Sequence, residues 1–180
     1  EWNPGIDGGD LEPVVPTVNP EIGDFYYKDG TYSAELKEDA ENPCVGIVFA
    51  TTPLDGDVAS NYGSEYTAIK GYVVALESAP TNTRLEFCAK GSDIDFTGME
   101  LNKTGYENTK AFFADERYTN NTDKYPVIEK YLAFKTNTPT PEKSSGWYIP
   151  SINQLKEMTI GYYGFEETAK NETFVNAINA

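Results

Sequence analysis

The ten residues Gly146-Trp147-Tyr148-Ile149-Pro150-Ser151-Ile152-Asn153-Gln154-Leu155 constrain the fold more than any other stretch, because they combine a tight lead-in, a strand end and a capped helix start. Ser151 followed by Gln154 is a capping box. The Ser hydroxyl accepts the amide of residue 154, and the Gln side chain reaches back to the amide of Ser151. Pro150, just before the cap, is placed to meet Leu155 as a hydrophobic staple. Trp147 lies so close to a fixed helix start that it reads as an architectural anchor before it reads as a ligand contact.

Length and charge narrow the class. A chain of 180 residues suits one domain with its own core behind a tail. The formal charge of −15, from 29 acidic against 14 basic residues, opposes nucleic acid and anionic membrane surfaces as partners. There is no histidine, so Ser-His-Asp and Cys-His catalysis, imidazole zinc sites and a histidine pH switch are excluded. Cys44 and Cys88 are the only thiols; they form no Cys-x-x-Cys motif and lie in or beside strand-like runs. Two cysteines leave open a bridge or two buried free thiols. No apolar run approaches the roughly 18 residues of a membrane span. The sequence opens at Glu1 without a Met or a signal peptide, as expected of a mature form whose export signal has been removed.

Residues 1–22 carry Pro4, Pro13, Pro16 and Pro20 with glycines, acids and no apolar period, which is the composition of an extended linker. The ordered domain is expected over 23–180. Phe25-Tyr26-Tyr27-Lys28 and Thr31-Tyr32-Ser33 flank Asp29-Gly30, the pair that favours a type I′ hairpin. Val45–Ala50 and Tyr72–Leu76 are near-continuous apolar runs, expected as central strands buried on both faces, with Leu85–Ala89 a candidate third. Asn108 is expected to cap a short helix carrying Ala111, Phe112 and Phe113. A second helix is expected from Pro126, burying Ile128, Tyr131 and Leu132. A third, from Ser151, should turn Ile152, Leu155 and Met158 inward. A fourth, near Thr173, should bury Phe174, Val175 and Ile178.

Several of these pieces in this order resemble the C-type-lectin-like domains of Bacteroidetes surface lipoproteins of the fimbrillin-associated type. The segments that carry the resemblance are Gly23–Ser33, Val45–Phe49, Gly71–Leu76, Gly105-Tyr106-Glu107-Asn108-Thr109 and Gly146–Ser151. The last is also similar to the helix start of formylglycine-generating enzymes, which share that fold. The resemblance covers about residues 23–180. It implies an α+β domain with helices packed on a small twisted antiparallel sheet, exported to the bacterial outer surface and held by a lipid anchor upstream of Glu1. The family continues beyond the equivalent of Ala180 with a Trp-Ser-Ser-type segment and a returning strand, neither of which stands here. Either the chain is cut short, or a C-terminal piece is lost or not recorded, or this member has a reduced fold, and in the last case the sheet is expected to keep an open edge.

The chemistry is sparse. Neither cysteine stands where the formylglycine-generating branch uses one, and the Glu-Pro-Asn, Gln-Pro-Asp and Trp-Asn-Asp sequences of calcium-dependent lectins are absent. Asp55-Gly56-Asp57 and Asp93-Ile94-Asp95 have oxygen ligands to offer but read first as turns. The pairs Glu35/Glu38 and Glu166/Glu167 read as solvated carboxylates rather than a glycosidase couple. No catalytic residue, metal or cofactor is expected. Of the 13 tyrosines, Tyr26, Tyr27, Tyr72 and Tyr148 read as sheet and rim packing. Tyr62, Tyr66 and Tyr106, in polar stretches, are the candidates for stacking on a ligand. The leading expectation is a non-enzymatic surface domain that binds a glycan or a protein. Its alternative is an assembly component of a surface fibre that takes a partner's strand at the open edge.

Overall fold

β3 (Cys44–Ala50) is the strand around which the sheet is built. The computed structural model describes residues 19–54, 56–77, 88–89 and 104–158. β1 (Phe25–Tyr27) and β2 (Tyr32–Ser33) precede β3; a 3₁₀ turn at Ala59–Asn61 and β4 (Tyr72–Ala75) follow it. The helices are α1 (Gly105–Ala114), α2 (Glu116–Thr119), α3 (Pro126–Asn137) and α4 (Ile152–Met158). This is an α+β arrangement on a small antiparallel sheet of order β2-β1-β3-β4. β3 is buried on both faces, as its β-branched apolar run requires.

β4 departs from the expectation of a second central strand. It is the outer strand among the described residues, half-buried beyond Tyr72, and Leu76 lies past its end and exposed. An apolar run of four or five residues reads alike in a central strand and in an edge strand sheltered by loops.

Phe25, Tyr27, Ile47, Phe49 and Tyr72 form the sheet core, against which Ile22, Leu54 and Met158 pack. Pro20 is buried, so the packed body reaches back into the segment read as linker. The hairpin differs in detail from a type I′ turn, because of its turn residues only Gly30 (φ 89°) has positive φ. The Gly30 N–H donates to Tyr27 O at 2.9 Å, and the Tyr27 N–H to Thr31 O at 2.9 Å. This is a turn through Lys28-Asp29 closed by a glycine bulge. Asp29 Oδ1 accepts from the Thr31 N–H at 2.9 Å and its hydroxyl at 2.7 Å, bonds available to an αR-side Asp.

The helices have a core of their own in Phe112, Tyr118, Tyr125, Val127 and Ile128. Phe112 lies 4.4 Å from Tyr118, and Tyr118 meets Tyr125 edge-on at 5.0 Å. Asn108 is not the cap of α1. That position belongs to Thr104, whose Oγ1 accepts the Glu107 N–H at 3.3 Å, and Asn108 stands a turn inside the helix. Thr104-x-x-Glu107 is a fuller capping signal than a lone Asn, and it prevails. On α3 the inward pair is Val127 and Ile128, Tyr131 is half-buried, and Leu132 is exposed. On α4 the inward face carries Gln154 and Met158, one turn apart. Ile152, 61% exposed, and Leu155 therefore point outward, against expectation, and Leu155 forms no buried staple with Pro150.

The expected strand at Leu85–Ala89 lies outside the described residues except for Cys88 and Ala89, which are in no strand. Residues 1–18, Asp55, Asp93–Asp95, Glu166–Glu167 and the helix near Thr173 also lie outside them. Glu35 and Glu38 are exposed.

Cys44 and Cys88 are both free and half-buried, Cys44 against the sheet core and Cys88 against the helical core. Each thiol packs against a different core, and the two do not bond to each other. The expected outcome is that a thiol reagent in denaturant titrates both cysteines whether or not the protein has been reduced. A single labelled population lacking both thiols before reduction would contradict this packing.

Candidate functional site

The strip from Trp147 to Ser151 has no strand partner, yet side chains of the surrounding helices serve its backbone. The Tyr131 hydroxyl donates to Trp147 O at 2.6 Å, and the Trp147 Nε1–H donates to Thr138 O at 2.8 Å, tying the strip to the end of α3. Trp147 also meets Phe134 edge-on at 5.8 Å, an anchor's place. Thr109 Oγ1 accepts the Ile149 N–H at 2.9 Å and donates to Ile149 O at 3.3 Å.

The capping box at the end of the strip is present: Gln154 N–H to Ser151 Oγ at 3.2 Å, and Ser151 N–H to Gln154 Oε1 at 2.9 Å. The same Oε1 accepts the Gly105 N–H at 3.2 Å, so one buried amide closes the first turns of both α1 and α4. The Gln154 Nε2–H donates to the Tyr148 hydroxyl at 3.0 Å. Gly105 has to be glycine for this approach, since a Cβ there would stand 2.5 Å from Gln154 Oε1 and from Ile149 O. Gly146 (φ 80°) turns the chain into the strip.

Two of the three ligand-candidate tyrosines belong to this framework. Tyr62 lies 4.7 Å from Tyr106 and 6.4 Å from Tyr148, with Tyr106 and Tyr148 edge-on at 6.0 Å. Tyr106 sits in the first turn of α1 rather than in a loop. Each candidate hydroxyl is engaged within the chain: Tyr62 donates to Asp57 Oδ2 at 2.5 Å, Tyr66 to Ser144 O at 2.9 Å and Tyr106 to Tyr62 O at 3.4 Å. Ring faces are what remain to meet a ligand. Asp57 is buried and also accepts from the Tyr72 hydroxyl and from Asn61 Nδ2, so its oxygens are committed to the fold. Nothing about its place in the sequence announces this, since its donors are brought in by β4 and the 3₁₀ turn.

A cleft of about 1270 Å³ opens beside the strip. Its floor includes Tyr26, Tyr32, Val48 and Val73, and it continues around the outer edge of β4 as far as Glu77. The facing wall comes from Tyr131, Phe134 and the segment 140–148. Tyr62 and Tyr66 line it, whereas Tyr106 does not. Sequence reasoning did not find the β4 edge itself. The Leu76 N–H donates to Val45 O at 3.3 Å, and Val74 stands opposite Ile47. In an antiparallel ladder this turns the N–H and C=O of Val73 and Ala75 away from β3, toward the cleft side. Among the described residues, nothing bonds to those four groups.

Over 190 aligned residues the chain is 28% identical to the putative fimbrium tip subunit Fim1C of Bacteroides ovatus, across 83% of this chain and 34% of that protein. The similarity is to a fimbrial protein. The chain spans about a third of the length of this curated relative. Among solved structures, a fimbrial protein from Bacteroides ovatus matches with a TM-score of 0.48 at 20% identity, over 86% of this chain and 38% of that one. No protein-family model matches.

The Gln154 junction makes a quantitative prediction. Gln154→Ala leaves two buried N–H groups without an acceptor and should cost about 3 kcal/mol in urea unfolding. Gln154→Glu, which keeps the acceptor, should cost clearly less; equal losses would remove the double cap from the account.

The tyrosines make another. Burial pushes Tyr131 up to about 12, with Tyr106 nearby adding to the effect. Burial, reinforced by the Asp57 carboxylate, likewise pushes Tyr148 up to about 12. Both start from 10.0, and a raised folded value means that the folded chain holds the proton more tightly. Their contribution to stability should be complete below pH 10 and lost as pH rises toward 12. Unfolding free energy measured against pH, with tyrosinate absorbance followed in parallel, checks both sign and window.

Proposed function

We propose that this chain is a non-enzymatic component of a bacterial surface fibre and joins its neighbours by strand addition at the outer edge of β4. The observation that carries the reading is the set of unpartnered N–H and C=O groups of Val73 and Ala75 beside a cleft. An edge of this kind supplies main-chain hydrogen bonds to an extended segment, and the cleft supplies places for its alternate side chains. Similarity to a putative fimbrium tip subunit supports the setting. Export to the outer surface, with a lipid anchor as the attachment, belongs to the same proposal.

A glycan is the second reading of the cleft, favoured by the rings of Tyr26, Tyr32, Tyr66 and Trp147 along it. The lectin-like plan expected from the sequence would accompany that reading.

Ala75→Pro separates the two. Its lost N–H has no partner in the fold, and edge strands accept proline, so the variant should melt close to the wild type. Fibres sheared from the native bacterium should carry the wild-type chain and lack the variant. Incorporation of a folded Ala75→Pro chain at the wild-type level would refute strand addition at β4. Saturable sugar binding by the monomer, unchanged in Ala75→Pro, would favour the glycan.

A further inference from the structure

We propose that the β4 edge takes a single extended segment of a different polypeptide, apolar at alternate positions and flanked by Lys or Arg, and not a second copy of this chain. The proposal rests on the strand-addition reading above and adds the chemistry of the partner.

Size comes first. A cleft of about 1270 Å³ exceeds the roughly 300–1,000 Å³ of ordinary small-molecule sites, and its lining includes every residue from Lys70 to Glu77. A peptide segment fills such a space better than a metabolite. Depth comes second. Val73, Val74 and Ala75 are half-buried, and Tyr131, Phe134 and Trp147 stand across the cleft from them. A lone strand can lie between these walls, with alternate side chains entering on the Val73 side among the three rings. A second folded copy would have to bring a whole sheet edge to residues that are already half-buried, whereas a lone strand brings only its own width.

Charge comes third. The cleft carries the carboxylates of Asp29, Glu65, Glu77 and Glu142 against the ammonium groups of Lys70 and Lys143. The chain as a whole bears −15. A second copy would bring −15 to −15, whereas a basic-flanked segment is drawn in by the same field. Apolar alternation and basic flanks together define the partner: the first fits the rings and the second fits the rim.

The test uses the full chain and three short synthetic peptides. One has alternating Val and Thr with Lys flanks, the second has the same core with Glu flanks, and the third is the Lys-flanked peptide with a central Pro. Binding is followed by titration calorimetry at low and high salt, and hydrogen exchange is read at the Val73 and Ala75 amides. The Lys-flanked peptide should bind about tenfold or more tighter than the Glu-flanked one at low salt, with the gap narrowing at high salt. It should also slow exchange at both amides, and the Pro peptide should not bind. Equal binding of the Lys and Glu peptides with both amides protected would leave strand addition standing and overturn the charge assignment. Equal binding of the Pro peptide would mean attraction by charge alone and overturn the proposal. A dimer by sedimentation, with both amides already protected in the free protein, would put a second copy in the cleft. No binding and no protection by any peptide would remove this inference together with the strand-addition reading.

Discussion

One buried side-chain oxygen holds two helix starts in place. Gln154 Oε1 accepts from Ser151 and from Gly105, which stand at the N-termini of α4 and α1. Both ends carry the partial positive charge of unsatisfied N–H groups, and an amide oxygen has two lone pairs, so one acceptor can serve both. The position of each helix is thereby tied to the other within hydrogen-bond length, although they are far apart in sequence. The Nε2–H of Gln154 donates to the Tyr148 hydroxyl, and so ties in the aromatic group of Tyr62 and Tyr106. A polar residue on the inward face of α4 thus specifies geometry that an apolar one could only fill.

From that junction the two cores become one body. The sheet core and the helical core share no buried residue, and the layers meet through Met158 on the sheet, the three-tyrosine group, and the strip at 147–151. The strip behaves as a strand whose ladder has been replaced by Tyr131, Thr109 and Gln154. This satisfies its backbone without extending the sheet, and so it leaves the β4 side uncovered by it. Asp57 plays a corresponding part beneath the sheet, where three donors allow a buried carboxyl group to hold the 3₁₀ turn against β4.

What was legible in the sequence was local. The Ser151–Gln154 box and the β3 core strand could be read because each is specified within a few residues. The burial of Gln154 could not, because its second donor is 49 positions away. The cap of α1 is Thr104 rather than Asn108, because Thr104-x-x-Glu107 offers the complete box four residues upstream of the lone Asn. The apolar spacing turns Leu132, Ile152 and Leu155 inward, and the structure leaves all three exposed. Helical geometry admits only one face, and Val127 on α3 and Gln154 with Met158 on α4 occupy it. The candidate tyrosines were found as residues but not as a set. Their convergence depends on Tyr106 riding on α1, and the β4 edge depends on sheet order, which no local pattern encodes.

An exposed apolar edge is ordinarily a hazard, and natural proteins blunt it with charge, proline, bulges or brevity. β4 has four residues, and its ladder with β3 shifts register between Val48 and Ala50, so two of these devices are present. Proline and lysine are absent from the strand itself, and its apolar residues face a walled cleft rather than open solvent. A short, half-buried edge whose outward donors and acceptors have no partner among the described residues is guarded against indiscriminate pairing without being closed. Had the only requirement been a stable monomer, a lysine at Ala75 or the strip at 147–151 laid along β4 would have ended the sheet at little cost. Tyr131, Thr109 and Gln154 hold that strip by its own backbone instead of laying it along β4, which is the condition that the proposed strand addition requires.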